Sequence, residues 1–171
     1  MSDAADEIMA HIEIPKGSRN KYEYDEEAGG IIFDRYVSSS TVYPTDYGFL
    51  PGYRGEDEDP LDCLVCVSEP TFPGCLVPSR AIAVFRMADE KGQDDKIVCV
   101  PTHDPHWNEM EDLDDIPTQL QQEIEHFFKV YKDLEPGKSV EVQGYEPKET
   151  ALKILSEARD RYKEYHGTEG A

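Results

Sequence analysis

Apolar and polar residues alternate in short runs through most of this chain, and a helical period takes over only near its end. His11-Ile-Glu-Ile-Pro15 alternates over a short strand with Glu13 on one face. Lys16 to Asn20 is a turn, and Lys21 to Asp25 alternates again. Glu26-Glu-Ala-Gly-Gly30 is a hairpin turn whose returning strand is Ile31 to Tyr36, so Lys21 and Arg35 fall on pairing strands. Tyr43-Pro-Thr-Asp-Tyr-Gly48 reads as a segment of aromatics and turn residues with hydroxyls that can reach a ligand. Cys63 to Val67 is apolar throughout, as in a strand covered on both faces, Arg80 to Met87 reads as a buried strand, and Lys96 to Val100 is the next strand. Asp89 to Asp94 is a turn.

Two helices come next. Ile116-Pro117 opens one, with Leu120, Ile124, Phe127, Phe128 and Tyr131 at helical spacing. Lys138 to Tyr145 is a last strand, and Pro147 starts a second helix that carries Ala151, Ile154, Leu155, Ala158 and Tyr162 on one face. Many short strands and two late helices predict an α+β fold, mainly β: a small barrel with the two helices packed outside it. No repeat or linker divides the 171 residues, so we expect a single domain over 1–171, with 1–10 and 166–171 as flexible tails.

Charge narrows the function. Asp and Glu number 37 against 17 Lys and Arg, a formal net charge of −20. Nucleic-acid backbones and anionic membranes are held by clustered Lys and Arg, so neither is an expected partner. Disorder is excluded by 38% hydrophobic and 10% aromatic residues. A folded, strongly acidic shell suits a salt-rich cytoplasm, where self-repulsion is screened. Met1 to Ala10 has no apolar run of the signal-peptide kind, and no segment has the length of a membrane span. Cys63, Cys66, Cys75 and Cys99 are then expected to stay reduced. Cys63 and Cys66 have C-x-x-C spacing but no second pair and no nearby His, which favours buried thiols over zinc or redox chemistry.

The stretch Gly55-Glu-Asp-Glu-Asp-Pro-Leu-Asp62 carries the chemistry. It places Asp57, Asp59 and Asp62 together at the mouth of an apolar strand, with Pro60 restraining the backbone. Such crowding is tolerated when cations neutralise the carboxylates or water solvates them. Carboxylate oxygens suit magnesium, manganese or calcium. Asp89 and Asp94, with Lys96 beside them, can converge on one mouth of the barrel, although taken alone they read better as an ordinary charged turn. Lys132 alone reads as a lysine offsetting a helix C-terminus.

In order along the chain stand Glu13-Ile-Pro15, Lys21-Tyr-Glu23, Asp34-Arg-Tyr36, Tyr43-Pro-Thr-Asp-Tyr-Gly48, Asp57-Glu-Asp-Pro-Leu-Asp62, Asp89-Glu-Lys-Gly-Gln-Asp-Asp-Lys96 and His126 to Glu135. Together these blocks resemble the family I soluble inorganic pyrophosphatases, prokaryotic type, over about Ile12 to Tyr145. The resemblance implies a five-stranded OB-like barrel with two outer helices. It implies hydrolysis of pyrophosphate to two orthophosphates by a metal-bridged water, using several Mg2+ ions, with Mn2+ or Zn2+ as substitutes. It implies Asp57, Asp62 and Asp94 at a first metal, Asp62 shared with a second, Asp89 and Asp94 at the metal arriving with substrate, and Glu23 at a further one. Lys21, Arg35, Tyr47, Lys96, Tyr131 and Lys132 would hold phosphates, Glu13 would lie in the outer shell, and Asp59 would be the general base. It also implies a cytoplasmic homohexamer. The family pattern usually has Gly where Glu58 stands, a departure that bears on the backbone of the acidic turn.

Three other readings fit less well. An EF-hand loop read from Asp57 needs Gly and Glu where Asp62 and Ser68 stand. An OB-fold nucleic-acid binder needs a basic groove. A purely acidic interaction protein leaves the order of the motifs unaccounted for.

Overall fold

The computed structural model describes residues 6–166. Its strands are β1 (Ile8–Ile14), β2 (Asn20–Asp25), β3 (Gly30–Tyr36), β4 (Asp46–Arg54), β5 (Pro60–Val65), β6 (Leu76–Asp89), β7 (Gly92–Gln93), β8 (Lys96–Pro101) and β9 (Val140–Pro147). Its helices are α1 (Thr118–Val130) and α2 (Lys148–His166), with a short 3-10 turn at Leu113–Asp115. Hydrogen bonds run β1-β4-β5-β8-β6, and β6 pairs back onto β1, which closes a five-stranded barrel. All of these pairings are antiparallel except β5 with β8. The β2–β3 hairpin stands apart as a two-stranded sheet, β7 extends the edge of β6, and β9 pairs with β6.

Alternation within the apolar strands divides the interior. Cys63, Val65, Ile97 and Cys99 pack into one cluster, which α2 completes with Ala151, Ile154, Leu155 and Ala158. Leu64, Cys66, Val98 and Val100 point into a second cluster, which α1 completes with Ile124, Phe127 and Phe128. Both faces of β5 and β8 are therefore covered, which is why they carry no polar alternation. Tyr145 of β9 donates from its hydroxyl to the carbonyl of Gln121, tying that strand to α1.

Several boundaries depart from the sequence reading. Ile8, Met9 and Ala10 were expected in a tail but form the start of β1, paired with Ser79, Pro78 and Val77. His166 is the last residue of α2 rather than the start of a tail, and 1–5 and 167–171 lie outside the described residues. Tyr43 to Gly48 is only partly loop, because β4 begins at Asp46 and runs to Arg54. The reason is Gly48, which pairs with Ile12 at very close approach. A Cβ there would lie 2.0 Å from the carbonyl oxygen of His11, so Gly marks a strand contact and not a turn.

Candidate active site

Lys96 is the first residue of β8, and the parallel register sets it opposite Asp62 of β5. Its side chain is only 1% exposed, yet its ammonium is satisfied on three sides. It donates to Asp62 Oδ2 at 2.8 Å, to Asp94 Oδ2 at 2.9 Å and to the Tyr47 hydroxyl at 3.0 Å. The rings of Tyr47 and Phe128 face it at 5.2 and 5.6 Å. Burial opposes its charge, but Asp62, Tyr47 and Asp94 more than offset that and hold it well above the usual lysine range.

The carboxylates around it are under strain of like charge. Asp62 is pushed upward, first by burial and then by Asp94, even though Lys96 draws it back. Asp94 shares the same ammonium and is held low by Lys96 against its own burial, so the two titrate as a pair. Asp57 is raised to about 6 by burial and by the nearby Asp94. Asp57, Asp62 and Asp94 line one cleft together with Arg86, Gln93 and Arg161. Asp57 Oδ1 accepts from the backbone N–H of Asp59, and the Asp59 side chain itself is exposed.

A second set of opposed charges borders the first. Lys132, just beyond α1, lies 3.4 Å from Asp89 and 3.7 Å from Glu90. It is therefore an ion-pair partner across the fold and not a helix-end lysine. The β2–β3 register places Lys21 opposite Arg35 as expected. Lys21 reaches Asp34 at 3.6 Å, and Arg35 also pairs with Asp34. Arg35 makes a bidentate bond to Glu135, at 2.7 and 2.9 Å. Glu135 had no role in the sequence reading. Its partner lies 100 positions away, and nothing local to either residue signals the pair.

Tyr131 is 7% exposed and packs on Phe127 and Phe128 with ring centroids 5.1 and 5.4 Å away. Glu13 is 9% exposed and accepts from the Tyr24 N–H at 2.8 Å; burial raises it to about 7. Glu23 lies exposed on β2, opposite Ile32. Thus Asp57, Asp62, Asp94, Lys96 and Tyr47 form one group, and Asp89 with Lys132 another. Arg35 with Lys21 forms a third on the hairpin. Among the described residues, no three His, Cys, Asp or Glu side chains stand together as a ready ligand set. The carboxylates arrive singly from several segments and are interleaved with lysines. Asp46, fully buried nearby in sequence, is a structural carboxylate that accepts from Lys16 and Thr71.

The four cysteines are free, and Cys63, Cys66 and Cys99 are buried with thiols held well above their usual range by burial. Among the described residues, no helix is long and apolar enough to cross a membrane.

Comparison with known proteins points the same way. The family model for inorganic pyrophosphatase matches residues 10–163. The chain is 49% identical over 162 residues to the inorganic pyrophosphatase of Haloferax volcanii, covering 95% of this chain and 92% of that one. It is 55% identical over 153 residues to that of Methanosarcina acetivorans, covering 90% of each. Among solved structures, the inorganic pyrophosphatase of Thermus thermophilus superposes with a TM-score of 0.91 at 41% identity, over 95% of both chains. That of Helicobacter pylori gives 0.90 at 41% identity, over 95% of this chain and 96% of that one.

Proposed function

Because this chain belongs to the inorganic pyrophosphatase family and is a hydrolase of inorganic pyrophosphate, we propose how its own residues divide that work. The observation that carries the reading is the Lys96 ammonium, shared by Asp62, Asp94 and Tyr47 beside Asp57. Carboxylates and cations alternate there, as a polyphosphate that arrives with metal ions requires.

The donor set fits magnesium. Single aspartates from different segments leave room for waters and phosphate oxygens, which magnesium prefers to an all-protein cage. Burial raises Asp57 and Asp62 by penalising their charged forms, and a divalent cation there would offset that penalty and favour the carboxylates. Asp57, Asp62 and Asp94 would hold one ion, with Asp62 shared with a second. Asp89 and Asp94 would hold the ion brought by substrate, and Glu23 a further one. When bound, magnesium would offset charge on the substrate and lower the pKa of a coordinated water.

The rest falls to the protein. Lys21, Arg35, Tyr47, Lys96, Tyr131 and Lys132 bind phosphate oxygens and offset the charge that develops on the departing phosphate. Glu135 fixes the Arg35 guanidinium and so sets the direction of its remaining donor face. Water attacks one phosphorus, the bond from the bridging oxygen to that phosphorus breaks, and the leaving phosphate takes the electron pair. Asp59, exposed beside Asp57, accepts the proton of the attacking water. Glu13 orders the β2 backbone through Tyr24. Reduced cysteines favour the cytoplasm, and self-association as a homohexamer is the form to test by sedimentation.

Phosphate release from pyrophosphate with and without magnesium tests the reading, and absence of metal dependence would overturn it. Two variants separate the roles. Asp59→Asn keeps the side-chain shape and removes the base, so turnover falls by about 10²–10⁴-fold while magnesium binding is retained. Higher pH partly restores it. Asp62→Asn instead raises the magnesium concentration needed. A defect in Asp59→Asn that magnesium alone abolishes would make Asp59 a ligand.

A further inference from the structure

We infer that Arg159 and Arg161 of α2 are positioning residues for the acidic turn at Gly55–Asp59, an inference that rests on the magnesium reading above. The turn joins β4 to β5, but these strands do not hold it by their ladder alone. Phe49 pairs with Asp62 and Arg54 pairs with Pro60, with an irregularity between them. Five steps along β4 are thus matched by only two along β5. The surplus backbone bulges away from the ladder. Two of its carbonyls are taken by α2: Arg159 Nη1 donates to Gly52 O at 2.9 Å, and Arg161 Nε donates to Arg54 O at 3.0 Å.

The sequence of the bulge is suited to this contact. Gly52 has a φ of 88°, and a Cβ at that position would lie 2.5 Å from Arg159 Nη1. Glycine here both permits the backbone shape and makes room for the guanidinium. Aromatic rings confine the same groups. Arg159 lies 5.9 Å from the Tyr53 ring and 5.6 Å from that of Tyr162, and Arg54 sits 3.6 Å over Tyr165. The anchor itself is rigid, because Ala151, Ile154, Leu155 and Ala158 fix α2 in the core.

The acidic turn begins directly after Arg54. Gly55 is buried and donates to Asp59 O at 2.7 Å, Glu58 donates back to Gly55 O at 3.2 Å, and Asp59 donates to Asp57 Oδ1. The turn is a closed unit with two attachments. Asp62 is fixed on the β5 side by its pairing with Phe49 and Lys96. Asp57 and Asp59 are set relative to it from the β4 side, where α2 supplies the missing restraint. Arg161 also lines the cleft that contains Asp57, Asp62 and Asp94.

The test compares the parent with Arg161→Met, with the Arg159→Met/Arg161→Met pair, and with Lys153→Met as a control on an exposed position of α2. Methionine keeps the apolar stem and removes the donors. Amide exchange of Gly55 in magnesium-free protein should quicken by about a hundredfold in the double variant, about tenfold for each of the two lost charge-assisted bonds. The magnesium concentration for half-maximal activity should rise by a similar factor, with turnover at saturating magnesium within about twofold of the parent. Arg161→Met should show a smaller change of the same kind, and it carries the test alone if the double variant does not fold. Unchanged exchange and an unchanged magnesium requirement in a folded variant would overturn the inference. So would lost turnover at an unaltered requirement. A parent indifferent to magnesium would refute the metal reading instead, and Gly55 exchange would still decide the positioning role.

Discussion

Glu58 has a φ of 73°, the one positive value among the described residues other than glycine. It sits at the corner of the acidic turn, where the family pattern places Gly. A left-handed conformation costs an L-residue about 1–2 kcal/mol, whereas Gly adds about 0.5–1 kcal/mol of chain entropy to be lost on folding. The balance favours Gly, so Glu58→Gly should stabilise the protein by about 0.5–1 kcal/mol in chemical unfolding. A loss of stability would mean that the Glu58 side chain contributes something its exposed position does not suggest. Lys96 shows the opposite limit of legibility. Its position in the motif was readable, but its near-complete burial between two carboxylates and a tyrosine was not. That depends on the β5–β8 register.

Elements differ in how far their sequence declares them. The helices were legible because one apolar stripe repeats at each turn, and the two covered strands because they carry unbroken apolar runs. β4 was harder, since it begins inside a segment whose aromatics, Pro44 and Gly48 are the composition of a loop, and only close contact with His11 shows why Gly48 is there. The site was legible as a list of groups and not as an arrangement. Arg35 with Glu135 and Lys132 with Asp89 are long-range pairs that no local spacing announces. Loops are fixed by similar means. Asp104 accepts from the hydroxyl and N–H of Ser68 and from the N–H of His106, joining two connections. Burial works the other way, but these bonds hold its carboxyl below the ordinary value of 3.8. A depressed folded value gives stability that is complete above the unfolded value and is lost as pH falls through the folded one. Asp104→Ala should thus cost about 1–2 kcal/mol near neutrality. The gap from the parent should close as the pH drops below 3.8. A gap that persists unchanged into stronger acid would show that the carboxylate's charge is not what holds the loops.

For the molecule as a whole, the dominant fact is the net charge of −20. Among the described residues, seven lysines and arginines are engaged in ion pairs, several of them in the candidate active site, so the remaining surface repels itself. Raising potassium chloride from low to molar concentration should raise the melting temperature, because screening weakens that repulsion. A melting temperature that is flat or falls with salt would contradict this. The parallel pairing of β5 with β8 has a further consequence, in time. The chain must pass through all of β6 before Lys96 can meet Asp62, 34 positions back, and must finish α1 before Glu135 can clasp Arg35. Contacts of such separation form late, after local hairpins and helices. During synthesis the β2–β3 hairpin can pair early, while Arg35 waits for the far end of the chain. In refolding, recovery of pyrophosphate hydrolysis should lag the recovery of strand and helix signal, so that activity reports the closing of the barrel rather than the start of folding.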